Sequence, residues 1–502
     1  METFASILRR HAAERGDAAA LTFQGRTESF AELDRASSQL ANAMATAGVK
    51  AGDRVGVLSK NRAEFFHAII AASKVGATLV GLNWRLSKRE IAEIMADADL
   101  SLLFVDETGA DLAPENLSLE IMRFGGNLDA ILQDESEADP GHEGRPEEIA
   151  LILYTSGTTG LPKGAMLSNA AMSYTAQLAE AWGMGPESVN LVAMPLFHIG
   201  GCGYGSSTLF AGGHTVLMAD VDVGTILDLI PEHRVTHTFL VPAVVQMMLN
   251  SDGLDGSDLS SLQLLMYGAS PMGDVLLRKA MSAMDCGFMH AYGMTESAGT
   301  VVVLPPESHD PEGPKARLLK SCGRVLPWVE LRVVAPGSDE DAAAGEVGEI
   351  WLRSRMLMTG YWKNAYATAD AITEGGWFRT GDAAYLDEEG HIFLFDRYKD
   401  MIISGGENIY PAEIENVLNG HDAVAQVGVI GVPHEKWGET PLAVVVLKDG
   451  TEAAPADLIA YTRENLATYK CPTRIEVVDS LPRNASGKLL KPELRRLYGA
   501  SA

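Results

Sequence analysis

The chain is predicted to be an α/β protein: a large N-terminal domain of doubly wound sheets with a small β-barrel subdomain, then a small α+β C-terminal domain. Three observations predict this. From Val55 to Tyr267, short apolar runs alternate with stretches of helical periodicity, the pattern of parallel strands joined by crossover helices. Past Val329 the texture changes to short strands and turns, and after Arg397 strands and helices mix in a compact unit. With 502 residues, 46% of them hydrophobic, the chain can bury a large core and divide into at least two domains.

In chain order, Phe30 to about Ala47 has helical periodicity, with Ser29 as its cap and Gly48 as its stop. A strand at Val55 to Leu58, a helix at Ala63 to Lys74 and a strand at Thr78 to Leu82 follow. Ser87 to Glu90 is a capping box opening the next helix, and Leu100 to Val105 is the next strand. Asp106 to Glu148 is acidic, with Gly and Pro, and is expected to be largely irregular. The unalternated run Ile149 to Leu153 reads as a strand buried on both faces. Ser168 and Asn169 are candidate caps for a helix running to about Trp182.

Alternation resumes with a strand at Val235 to Val241, Pro242 in the first turn of a helix, and a strand at Gln263 to Tyr267. Glu330 to Val334, Glu349 to Leu352, Ala384 to Leu386 and Ile392 to Phe395 are the strands of the expected barrel. The boundary falls between Asp396 and Asp400, dividing 1–396 from 397–502. Beyond it Pro411 opens a helix, strands lie near Val424 to Ile430 and Leu442 to Leu447, and a helix runs from Pro455 to Leu466.

Composition excludes some functions. Forty basic against 67 acidic residues give a formal charge of −27, which argues against nucleic acid as the main partner. Cys202, Cys286, Cys322 and Cys471 show no metal-site spacing and are too few to staple the chain, so reduced thiols in the cytoplasm are expected. The first residues lack the apolar core of a signal peptide, and no apolar run reaches membrane-spanning length.

Tyr154 to Gly164 reads Tyr-Thr-Ser-Gly-Thr-Thr-Gly-Leu-Pro-Lys-Gly. Glycines let backbone amides approach an anion, hydroxyls donate hydrogen bonds, and Lys163 brings a mobile charge, so this is a phosphate-gripping loop. It is not a Walker A loop, because Pro162 stands where the second glycine should be and Gly164 follows the lysine. A Gly/Thr-rich surface turn would explain the glycines but not so many donors before a lysine. Downstream, His290-Ala-Tyr-Gly-Met-Thr-Glu296 ends a predicted strand. There an aromatic beside a glycine can cover a purine, Thr295 can bond a phosphate oxygen, and Glu296 is a hard oxygen ligand for Mg²⁺.

The loop resembles the signature of the adenylate-forming superfamily, which includes acyl-CoA synthetases, luciferases and peptide-synthetase adenylation domains. The resemblance covers nearly the whole chain, because Lys163, Glu296, Asp382, Arg397 and Lys488 fall in the family's order on matching motifs. It implies that Thr155, Ser156, Gly157, Thr159 and Gly160 cradle phosphates, with Thr158 and Lys163 among the catalytic residues. It also implies that Gly268, Ala269, Ser270, Ala291, Tyr292, Gly293, Met294 and Thr295 bind the nucleotide and that Glu296 holds the metal. Asp382, in Trp377 to Asp382, would take the ribose hydroxyls with Arg397, although a turn aspartate on a hairpin is the ordinary alternative. Many relatives carry Gly where Asp396 stands, while other branches carry Asp.

Lys488, in Pro482-Arg-Asn-Ala-Ser-Gly-Lys488, matches the family's catalytic lysine, where position alone would suggest a solvated one. The resemblance makes the C-terminal domain mobile, turning about Lys399 to bring Gly405, Gly406 and Trp437 to the active site as a tunnel for the CoA thiol arm. His198, in Pro195 to Gly200, matches a pocket histidine beside the substrate carboxylate; the alternative is a histidine satisfied at the end of an apolar strand.

The expected substrate walls, Asn190 to His233 and Ala280 to Pro314, contain no Lys or Arg, and Gly200, Gly201, Gly203 and Gly205 leave volume. A second buried carboxylate there would lack a counter-charge. The expectation is therefore an ATP- and Mg²⁺-dependent acyl-CoA synthetase for an apolar monocarboxylic acid: medium- or long-chain fatty, aryl or alicyclic. Alternatives are an adenylation enzyme loading a carrier protein, a luciferase-like oxygenase and an inactive nucleotide-binding homologue. Expected partners are the acid, ATP and CoA, with a homodimer as the candidate assembly.

Overall fold

The computed structural model describes residues 2–115, 118–155, 162–270, 272–397, 400, 402–404, 407–434, 437–483 and 489–499. Among them the strands form four sheets. The first has nine strands in the spatial order Arg324–Val325, Gly299–Leu304, Gly287–Met294, Leu264–Gly268, His237–Leu240, Val189–Val192, His214–Leu217, Ala19–Phe23 and Arg26–Ser29. The second has seven: Gly360–Tyr361, Lys163–Ser168, Ile149–Thr155, Thr78–Leu82, Arg54–Leu58, Leu102–Val105 and Glu120–Arg123. The interior pairs of both are parallel and the flanking pairs antiparallel, except that the edge strand Glu120–Arg123 pairs parallel with Leu102–Val105. Crossover helices cover parallel strands, which is why these strands read as unbroken apolar runs.

The helix Ala63–Val75 is buried on nearly every side, from Phe65 and Phe66 to Ala72 and Lys74. A helix apolar all round must lie inside a protein. It packs on the helices Phe30–Thr46 and Phe4–Arg15, within a core that takes side chains from strands of both large sheets. Ser29 and Glu32 close a capping box on Phe30–Thr46, and Ser87 and Glu90 do the same on Lys88–Ala98.

Four segments differ from the sequence-based expectation. Lys163–Ser168 is a strand antiparallel to Ile149–Thr155, so the phosphate loop joins two strands rather than a strand and a helix. Ser168 still caps, its hydroxyl accepting from the Ala171 amide, but the expected helix is split into Asn169–Met172 and Thr175–Ala181. The acidic stretch contains the helices Glu107–Leu112 and Asn127–Asp134 and the strand Glu120–Arg123, with irregular chain between them and from Glu135 on. The helix Phe4–Arg15 and the hairpin Ala19–Phe23 with Arg26–Ser29 carried no recognised signal.

The expected barrel subdomain is a four-stranded antiparallel sheet in the order Glu330–Val334, Gly348–Arg353, Phe378–Leu386, Ile392–Arg397, joined to the first sheet by a bridge between Gly323 and Ile392. The small C-terminal domain is built on Glu407–Ile409, Ile402–Ser404, Gly438–Leu447 and Val424–His434, with Arg474–Val477 parallel to Gly438–Leu447. The helices Pro411–Asn419, Pro455–Asn465 and Lys491–Tyr498 complete it around cores of its own.

Candidate active site

The base of the phosphate loop is a register pair, Thr155 opposite Lys163, with the Thr155 hydroxyl donating to the Lys163 carbonyl at 3.4 Å. Ser156, Gly157, Thr158, Thr159 and Gly160 lie outside the described residues. Lys163 Nζ sits 5.1 Å from the centroid of the Tyr361 ring. The Tyr361 hydroxyl donates to Glu296 Oε1 at 3.0 Å, and the Glu296 carbonyl accepts from the Met358 amide at 2.8 Å. The predicted lysine and carboxylate are thus linked through a tyrosine that sequence reasoning missed. Its only local mark is Gly360-Tyr-Trp362, which pairs with Ala165 and Met166.

The same short strand is held from behind. Trp362 Nε1 donates to the Asp97 carbonyl at 3.0 Å, and the Tyr154 hydroxyl donates to Asp97 Oδ2 at 2.6 Å. One helix end therefore grips both strands that flank the loop. Replacing Tyr361 by Phe keeps the ring under Lys163 but releases Glu296. A hydrogen bond to a carboxylate stabilises by about 1.5 kcal/mol or more, so acid-dependent pyrophosphate release should fall about tenfold. Rate measured against Mg²⁺ concentration checks this, because a loosened Glu296 should also raise the Mg²⁺ requirement.

Register brings the two predicted nucleotide segments side by side, with Gly268 opposite Ala291. A Cβ at Gly268 would lie 2.1 Å from the Ala291 carbonyl oxygen, and one at Gly293 would lie 1.9 Å from that of Gly299. Strand approach thus demands these glycines, whatever they give a ligand. Ala269, exposed beside Ser270, has φ of 62°, a left-handed conformation that is costly for a residue with a Cβ. Ala291, Met294 and Thr295 follow in the same strand and the turn after it.

The buried Tyr292 hydroxyl donates to Asp382 Oδ2 at 2.7 Å, and the Asp382 amide donates to the Thr380 hydroxyl at 3.0 Å. Burial and the Asp382 charge both push the Tyr292 phenol up, so it stays protonated and keeps donating. Asp382 and Arg397 are register partners on adjacent strands. The structure therefore joins the tyrosine predicted to cover the purine to the predicted ribose carboxylate.

His198 precedes the glycine-rich helix Ile199–Ala211. Its Nε2 is buried and has no hydrogen-bond partner among the described residues. Burial, aided by the nearby Arg85 cation, pulls the imidazole down to about 4, so at neutral pH it can donate or accept a hydrogen bond but brings no positive charge. Arg85 comes from neither expected wall segment, and Asp220 partly offsets its charge. The glycines of this helix do not all leave volume. A Cβ at Gly201 would lie 2.0 Å from the Pro195 oxygen and one at Gly205 2.8 Å from Phe66, whereas one at Gly200 would meet nothing nearer than Phe239 at 3.5 Å.

In the small domain the Trp437 ring is 43% exposed, beside the pairing of Gly438 with Ser404. Asp400 is buried and paired with Arg495 at 2.7 Å. Lys399, Gly405, Gly406 and Lys488 lie outside the described residues. No helix among those described is long and apolar enough to cross a membrane.

Two large sheets meeting a small C-terminal unit, with a lysine, tyrosine and glutamate at a phosphate-type loop, define an adenylate-forming enzyme fold. The chain belongs to the AMP-binding enzyme family, whose profile matches residues 8–362, while that of the AMP-binding enzyme C-terminal domain matches 413–488. It is 37% identical to a fatty acid–[acyl-carrier-protein] ligase of Streptomyces coeruleorubidus, over 100% of this chain and 98% of the relative. It is also 37% identical to a feruloyl-CoA synthase of an Amycolatopsis species, over 96% of each. Among solved structures it resembles o-succinylbenzoate CoA synthetase of Bacillus subtilis in complex with its acyl-adenylate intermediate. There the TM-score is 0.89 and the identity 31%, over 100% of both chains.

Proposed function

We propose that this chain is an ATP-dependent acyl-CoA synthetase. It joins an apolar monocarboxylic acid to AMP, then passes the acyl group to the CoA thiol. The observation that carries the adenylation step is the link from Lys163 through Tyr361 to Glu296 at the base of the phosphate loop. CoA-forming relatives matched over almost their full length support the second step.

In this reading the acid's carboxylate oxygen attacks the α-phosphorus and pyrophosphate leaves. Negative charge gathers on non-bridging oxygens, where Lys163, the loop donors and Lys488 offset it. One carboxylate suits Mg²⁺, which takes most of its ligands from phosphates and water, and Glu296 is the residue that would hold it. Bound there, the ion neutralises phosphate charge. Tyr292 orients Asp382 for the ribose hydroxyls, with Arg397 beside it, and neutral His198 offers a hydrogen bond near the acid. After adenylation the small domain turns at Lys399, Lys488 withdraws, and Gly405, Gly406 and Trp437 form the thiol's path. The domains divide between Asp396 and Asp400.

The test is a panel of carboxylic acids with ATP, Mg²⁺ and CoA, read as AMP and thioester formed. Octanoate or a phenylpropanoid acid should exceed malonate in kcat/KM, because the two wall segments hold no cation, His198 is neutral, and the Arg85 cation near it is partly offset by Asp220. A higher value for malonate would overturn the apolar reading. A second acceptor is favoured by the carrier-protein ligase relative. Thioester formed on a phosphopantetheinylated carrier protein but not on CoA would select it.

A further inference from the structure

One buried side chain joins two loops that belong to different sheets. The first loop, Ser59 to Arg62, leads from the strand Arg54–Leu58 into the buried helix Ala63–Val75. The second, Ala193 to His198, leads from the strand Val189–Val192 into the glycine-rich helix Ile199–Ala211. Asn61, 5% exposed, links them. Its Nδ2 donates to the Met194 carbonyl at 3.0 Å and its Oδ1 accepts from the Leu196 amide at 2.8 Å, across 133 and 135 residues of chain.

The match is of one donor and one acceptor to one acceptor and one donor, and the two backbone groups flank Pro195. Pro195 has no N–H, so a strand ladder cannot continue through it. Neither the Met194 carbonyl nor the Leu196 amide has a backbone partner among the described residues, so the Asn61 carboxamide is what satisfies them. Lys60 also ties the first loop across, to Asp220 at 2.7 Å. That pair is exposed, and exposed pairs contribute little, so the buried amide is the stronger tie.

The held segment sets His198. The His198 amide donates to the Pro195 carbonyl at 3.1 Å, and its own carbonyl accepts from the Gly201 and Cys202 amides at 2.9 and 3.0 Å. Its ring stands edge-on to Phe197 with centroids 4.5 Å apart. Phe197 is buried against Gly81, where a Cβ would lie 3.2 Å from the Phe197 Cα. The imidazole Nε2 has no hydrogen-bond partner among the described residues, so the backbone and Phe197 aim the ring. Asn61 fixes that backbone on both sides of Pro195, and the turn carries the placement to His198.

From this geometry we infer that Asn61 is a positioning residue for adenylation, setting His198 against the acid's carboxylate by holding Met194 to Leu196. This rests on the acyl-CoA synthetase reading and adds to it a residue outside its motifs. Asn61 acts through His198, so its loss should weaken the use of the acid and spare the nucleotide side, which Tyr292, Asp382 and Glu296 form on other segments.

The test takes the acid with the highest kcat/KM in the panel and varies acid and ATP in turn. A misplacement of about 1 Å in an active site can cost about 10²-fold, so Asn61→Ala should lower kcat/KM for the acid at least about tenfold and leave KM for ATP unchanged. Asn61→Asp, which keeps the shape and the acceptor but loses the donor, should show the same split and stands in if the alanine variant fails to fold. In a His198→Ala background either substitution should add little, because the group it positions is gone. Acid and ATP constants that worsen together would overturn the inference, as would a loss that multiplies with that of His198→Ala. So would unchanged use of the acid in Asn61→Ala or in His198→Ala, each of which leaves the synthetase reading standing. If no acid drives pyrophosphate release in the unaltered protein, the synthetase reading itself falls.

Discussion

Lys488→Ala is expected to lower acid-dependent pyrophosphate release by at least about 10²-fold while largely sparing thioester formation from supplied acyl-adenylate. The asymmetry follows from the two steps. In the first, charge builds on the α-phosphate, and removing one preorganised donor from such a site costs roughly 10²–10³-fold. In the second, AMP is the leaving group, and in the domain-rotation reading Lys488 has been carried away. Two single-turnover assays separate the steps: pyrophosphate release from ATP and acid, and thioester formation from purified acyl-adenylate. Equal losses in both would show a general folding or docking defect. Unchanged pyrophosphate release in a folded variant would remove Lys488 from the mechanism.

Lys74→Ala should produce the largest loss of stability. The Lys74 ammonium is fully buried, 2.6 Å from Asp34 Oδ1, 2.7 Å from the Ser38 hydroxyl and 3.3 Å from Asp139 Oδ2. Arg9 completes the cluster with a two-pronged contact to Asp139 at 2.6 and 2.9 Å. The network ties the helices Phe4–Arg15, Phe30–Thr46 and Ala63–Val75 to the irregular segment after Glu135. Breaking a buried pair by removing one partner costs about 3–5 kcal/mol, because the other charge is left uncompensated. Urea melts of Lys74→Ala and Lys74→Met should both show the loss, the methionine variant less because it refills the space.

The cluster also sets an acid limit. Burial alone would raise the Asp139 carboxyl, but Arg9, the Gly141 amide and Lys74 together hold it down at about 2, below the ordinary 3.8. A depressed folded value contributes stability that is fully present above the unfolded pKa and is lost as pH falls through the folded one. The contribution should therefore fade between about pH 4 and pH 2, and Asp139→Asn should remove that part of the acid sensitivity.

Much of the fold was legible because its signals are local. Ser29 with Glu32 and Ser87 with Glu90 mark helix starts within four residues, and Thr78–Leu82 is a short run, buried throughout, whose length and place between two helices mark it as a strand. The candidate chemistry was legible where a short motif holds it, as around Lys163, Glu296 and Asp382. Lys163–Ser168 was misread because Ser168 and Asn169 are good caps, while the strand pairing that precedes them is decided by neighbours far along the chain.

What the sequence by itself determined is the family-like order of motifs, the acidic surface and the alternation that makes parallel sheets. Tertiary structure alone decided which side chains meet. Tyr361 reaches Glu296 across 65 residues, Tyr292 reaches Asp382 across 90, and Arg9 reaches Asp139 across 130. It also brought the Arg85 cation near His198 and left the Tyr204 hydroxyl, Trp182 Nε1 and Asn190 Oδ1 without hydrogen-bond partners among the described residues. The physical reason is range. Caps, turns and periodicity act within a helical turn or a strand, whereas charge compensation and hydrogen-bond satisfaction depend on which segments folding packs together.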